Sequence, residues 1–60
     1  MSDDELIHLL SRWLAGHAGD DELRRGAVDL PEVREAFETG ASRQQLMVAV
    51  RETLEELALG

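Results

Sequence analysis

Apolar residues recur along this chain at intervals of three and four, the spacing that puts them on one side of an α-helix. In the last third, Met47, Val50, Leu54 and Leu57 follow one another at 3-4-3 spacing, flanked by Leu46 and Ala58. This predicts a long amphipathic helix over about 43–59, with a seam suited to lie against another helix. Near the start, Leu6, Ile7, Leu10, Trp13 and Leu14 mark one face of a first helix over about 3–15, and Leu9 widens that face. Period-two alternation, the mark of a strand, is absent throughout.

The polar residues punctuate these runs. Ser2 and Glu5 match a capping box, and Asp3, Asp4 and Glu5 suit the positive end of a helix dipole. Gly16 and Gly19 stop the first helix. Asp20 reads as the cap of a short helix over about 21–25, whose apolar member is Leu23 and which Gly26 ends. Ala27, Val28 and Leu30 form an apolar connector. Pro31 opens a third helix over about 31–38, where Val33 and Phe37 lie one turn apart. Gly40 is placed to end it in the left-handed conformation, and Ser42 with Gln45 repeats the capping-box pattern before the last helix. The expectation is one all-α domain spanning residues 1–60. Its two longer helices are roughly antiparallel, and the two short ones close over them with Leu23 and Phe37 plugging the ends.

Size makes association part of this expectation. A domain of 60 residues buries only about 60% of the surface its unfolded chain exposes. Such domains usually rely on disulfides, a metal, very regular helices or a second subunit. Cysteine is absent, so a homodimer is the expected remedy. The seam residues Met47, Val50, Leu54 and Leu57 would pack either on the first helix or on its copy in a second subunit.

Charge narrows the choice of partner. Thirteen acidic residues against six basic ones give a formal net charge of −7, which disfavours phosphate backbones and anionic lipid and favours a basic protein. All six basic residues are arginine, a composition typical of a GC-rich bacterial genome. With no run near the roughly 18 apolar residues needed to span a bilayer and an acidic rather than basic beginning, the chain reads as a cytoplasmic protein. Glu52, Glu55 and Glu56 crowd the negative end of the last helix dipole, an arrangement that arginines such as Arg24 and Arg25, or a basic partner, would relieve. Val48 and Leu59 fall opposite the apolar stripe, and Val48 offers a seat for a second molecule. Trp13, at one edge of its stripe, is either a core anchor or a contact hot spot.

Chemistry is thin elsewhere. His8 and His17 are nine residues apart across a glycine break, which does not make a helical metal pair, and His17 with Asp20, Asp21 and Glu22 lacks the alternation of a calcium loop. Ser11, Thr39, Ser42 and Thr53 have no patterned base beside them, and no phosphate-binding loop occurs. No enzyme activity, metal or cofactor is expected. The reading is a noncatalytic protein–protein interaction module (an adaptor, regulator or inhibitor). Its contact residues are Trp13, Met47, Val48, Val50, Glu52, Leu54, Glu55 and Leu57. Two alternatives compete. The stretch 36–51 looks like part of a helix-turn-helix, with Ala36, Gly40 and Ser42 at the turn and Arg43, Gln44 and Gln45 available to bases. The departures from that motif are Glu35 and Thr39 where apolar packing is expected, and no basic cluster is present to hold phosphates. The acidic surface also suits a protein that neutralises a basic toxin or inhibits a basic enzyme.

Overall fold

A computed structural model describes residues 3–59, so the Ser2 half of the first capping box lies outside the described residues. Four α-helices follow in order: α1 (Asp3–Leu14), α2 (Asp20–Gly26), α3 (Pro31–Glu38) and α4 (Arg43–Leu59), with a single 3-10 turn at Ala27–Asp29 between α2 and α3. Among the described residues no strand occurs. The all-α reading, with two longer and two shorter helices, holds.

Local chemistry sets the helix ends. Gly16 (φ +81°) and Gly40 (φ +70°) take the left-handed conformation that closes α1 and α3. At each, the glycine N–H returns to a carbonyl three residues back, and the next N–H reaches five back, from His17 to Arg12 and from Ala41 to Ala36. This paired pattern satisfies helix-end carbonyls that would otherwise be unpaired. Pro31 occupies the first turn of α3, where its missing N–H costs nothing. The second capping box forms as read: the Gln45 N–H donates to Ser42 Oγ and the Ser42 N–H to Gln45 Oε1, both at 3.2 Å.

Asp20 behaves differently from its expected role. Gly19 is the N-cap of α2, and no side chain caps that end. The Asp20 carboxylate instead accepts the indole N–H of Trp13 at 2.9 Å. A buried indole N–H needs an acceptor, so this demand outweighs a cap that backbone N–H groups can replace with water.

The core draws on every element. Leu6, Leu10 and Trp13 from α1 meet Leu23 from α2, Ala27 and Leu30 from the connector, Val33 from α3, and Leu46 and Val50 from α4. Leu23 is fully buried within this core, while Phe37 packs against it only half-buried. Leu9 fits tightly against the buried Gly26, where a Cβ would overlap its terminal methyl. Each fully buried large apolar side chain contributes about 1.5–3 kcal/mol before conformational entropy opposes it.

The seam of α4 packs within the chain, on α1 and α3 together. That double contact rotates the buried arc away from its expected axis. Leu46, Val50 and Thr53 are buried, Ala49, Leu54 and Leu57 are half-buried, and Ala58 is exposed. Met47, expected on the seam, is 37% exposed. At about 100° per residue, Met47 lies a quarter turn from Leu46 while Thr53 lies almost beneath it. A helix wedged between two neighbours buries the arc facing both, whatever its hydropathy. At the other end, the Arg43 guanidinium at the start of α4 lies 5.5 Å from the Trp13 ring at the end of α1, as an antiparallel pairing of these helices requires.

Candidate functional site: an acidic groove between α3 and α4

Two helical stripes run side by side on one face of the molecule. Glu32, Glu35 and Thr39 line the α3 bank, and Gln45, Val48 and Glu52 line the α4 bank. The three- and four-residue spacing within each set keeps it on one side of its helix. Between them Ala36, Ala41 and Ala49 form a floor of small side chains, leaving a shallow groove of about 350 Å³. Val48 projects at its edge, 54% exposed, and beyond it Arg51, Glu52 and Glu55 frame a smaller hollow.

The electrostatics of the groove are one-sided. Glu32, Glu35 and Glu52 form no ion pair among the described residues; ion pairs outside the groove join Arg12 to Glu22 at 3.6 Å and Arg34 to Glu38 at 3.9 Å. Glu55 and Glu56 are likewise exposed without an ion-pair partner among the described residues. The relief expected from Arg24 and Arg25 does not form. Arg24 lies over the Phe37 ring, 5.1 Å from its centroid, and the Nε–H of Arg25 donates to the Asp21 backbone oxygen at 3.4 Å.

The eight expected contact residues divide into three groups. Met47, Val48, Glu52 and Glu55 are exposed along one side of α4. Trp13 is 2% exposed and Val50 is fully buried, so neither offers surface to a second molecule; both belong to the core because α1 and α4 close over them. Leu54 and Leu57 pack against that core and show only an edge. The α3 half of the groove was not expected. Glu32, Glu35 and Thr39 share one helical face in the chain, but only the packing of α3 on α4 gives that face its opposite bank.

The features expected of a helix-turn-helix are only partly available for contact. Gln45 is held in its cap, Arg43 is drawn over Trp13, and the flanking bank carries glutamates. His8 and His17 are exposed, and among the described residues no three His, Asp or Glu side chains gather as a metal-sized group. Among the described residues no helix is long and apolar enough to cross a membrane. Comparison of the chain with protein-family models, with characterised proteins and with solved structures finds no match.

Proposed function

We propose that this protein is a noncatalytic interaction module whose α3–α4 groove receives a basic amphipathic helix from a protein partner. The observation that carries this reading is the groove itself: three carboxylates without an ion pair among the described residues, on two banks above an alanine floor, with Val48 exposed beside it. Small floor residues let another helix approach closely, so one apolar side chain of the partner settles onto Ala36 and Ala49. Lysines or arginines on either side of that stripe then reach Glu32, Glu35 and Glu52. Such charge pairs steer encounter and orient the partner more than they add affinity. An adaptor, or a neutralising protein for a basic target, would work by this contact. The α4 seam is occupied inside one chain, so the reading does not require a second copy.

The test compares two neutralised variants of equal charge. A helical peptide with a leucine stripe flanked by lysines is titrated into the wild-type protein, into Glu35→Gln/Glu52→Gln and into Asp3→Asn/Asp4→Asn. Backbone amide shifts follow binding. The proposal expects shifts at Ala36, Val48 and Ala49, and an affinity about tenfold or more weaker in the groove variant alone, about 1.4 kcal/mol or more. Equal losses in both variants would mean that net charge, not the groove, holds the peptide.

A further inference from the structure

A second surface, on the other side of α3, has the opposite character. It is a cleft of about 270 Å³ between α2, α3 and α4, bordered by Arg24, Arg43 and Asp20 and floored by Ala36, Phe37 and Leu46. It is notable for what its arginines do. In a chain with thirteen carboxylates and six arginines, Arg12 and Arg34 find glutamates. Neither cleft arginine has an ion pair among the described residues. Each instead rests on an aromatic ring, Arg24 on Phe37 at 5.1 Å and Arg43 on Trp13 at 5.5 Å.

Stacking on a ring restrains a guanidinium while leaving its N–H donors open at the edge. Two such groups at one cleft form a preorganised pair of forks, and the chemistry that matches a guanidinium fork is a carboxylate taken in a bidentate manner. Asp20 does not fill this role, because one of its oxygens accepts the Trp13 indole N–H and it makes no ion pair with either arginine among the described residues. Beside the arginines, the apolar floor suits a small aliphatic group. We propose that this cleft binds an acidic segment of a protein partner, a glutamate or aspartate carboxylate next to an aliphatic side chain, with Arg24 and Arg43 as the carboxylate-binding residues. The assignment does not depend on the α3–α4 groove and uses none of its residues except Ala36 and Ala41, which line both.

Trp13 is the chain's one tryptophan and lies under Arg43, so its emission reports directly on this cleft. The probes are the capped peptide acetyl-Glu-Leu-Glu-amide, its isostere acetyl-Gln-Leu-Gln-amide, and inorganic phosphate, all at constant ionic strength. Amide shifts of Gly40 and Leu46, which line this cleft and not the groove, give a second readout independent of the fluorophore. The Glu peptide should saturate both signals with a dissociation constant on the order of 1 mM, and the Gln peptide should bind at least about tenfold more weakly. Arg24→Lys/Arg43→Lys keeps the charge and removes the forks, and should weaken the Glu peptide about fivefold or more. Arg51→Lys, away from the cleft, should leave it unchanged. Indifference to the Glu-to-Gln change or to the paired lysine variant overturns the proposal, as does silence from every probe. Tighter saturation by phosphate than by the Glu peptide overturns the carboxylate assignment and gives the cleft to phosphoryl groups.

Discussion

Thr53 is the polar residue the core of this protein would be expected to exclude. It is 6% exposed on the inner face of α4, and its hydroxyl oxygen has no hydrogen-bond partner among the described residues. A buried hydroxyl left unpaired costs about 1–3 kcal/mol, because the water it gave up is not replaced. Valine has nearly the same shape and a similar helix propensity, so Thr53→Val removes the unpaired group with little change in packing or backbone preference. The added methyl also contributes apolar burial, at most about 0.8 kcal/mol. The expected gain is about 1–3 kcal/mol. In a domain this small each kcal/mol moves the midpoint by about 4–8 °C. Thermal and urea unfolding followed by far-ultraviolet circular dichroism measures the change, and an unaltered urea slope would show that the same surface is exposed on unfolding. Thr53→Ser supplies the converse, keeping the hydroxyl and losing a methyl, and should cost about 1 kcal/mol. A Thr53→Val protein no more stable than the parent would refute the reasoning: the hydroxyl would then be satisfied in solution by an acceptor or a water.

Four further substitutions probe the scaffold. Asp20→Ala leaves the Trp13 indole N–H without its acceptor and should cost about 1–3 kcal/mol, with a shift in Trp13 emission that an unlinked surface aspartate would not produce. Gly40→Ala forces a Cβ into a φ of +70°, so urea unfolding should show a loss of about 1–2 kcal/mol. Leu10→Ala, at a fully buried site, should cost about 2–5 kcal/mol. Met47→Ala, on exposed surface, should stay within about 0.5 kcal/mol of the parent. Comparable losses at Leu10 and Met47 would mean that α4 sits in a different rotation.

Much of the fold was readable in the sequence because its punctuation is chemical and local. Pro31, Gly40 and the Ser42–Gln45 pair each act within a few residues of themselves, and each acts as read. The hidden parts depend on distant residues. Hydropathy set Met47 on the seam, yet the seating of α4 on two helices at once buried Thr53 and left Met47 outside. Asp20 carried the marks of a cap, and only the arrival of Trp13 beside it reassigned its carboxylate. The same holds at the surface. Val48 and Glu52 stood out along α4, but Glu32 and Glu35 became their neighbours only when α3 packed alongside. Sequence spacing shows which residues share a helix face; it does not show which face will oppose it.

Photo-crosslinking from the groove tests the central claim most directly. A benzophenone amino acid replaces Val48 in the protein as expressed in its own cells, with a matched protein labelled at His8 on the polar side of α1 as control. Mass spectrometry then identifies the crosslinked peptides. The account predicts that position 48, and not position 8, captures a lysine- or arginine-rich helical segment of another protein, and that Glu35→Gln/Glu52→Gln abolishes the capture. Crosslinks from position 48 that go only to nucleic acid or to copies of this chain, or that survive loss of the two glutamates, would contradict it.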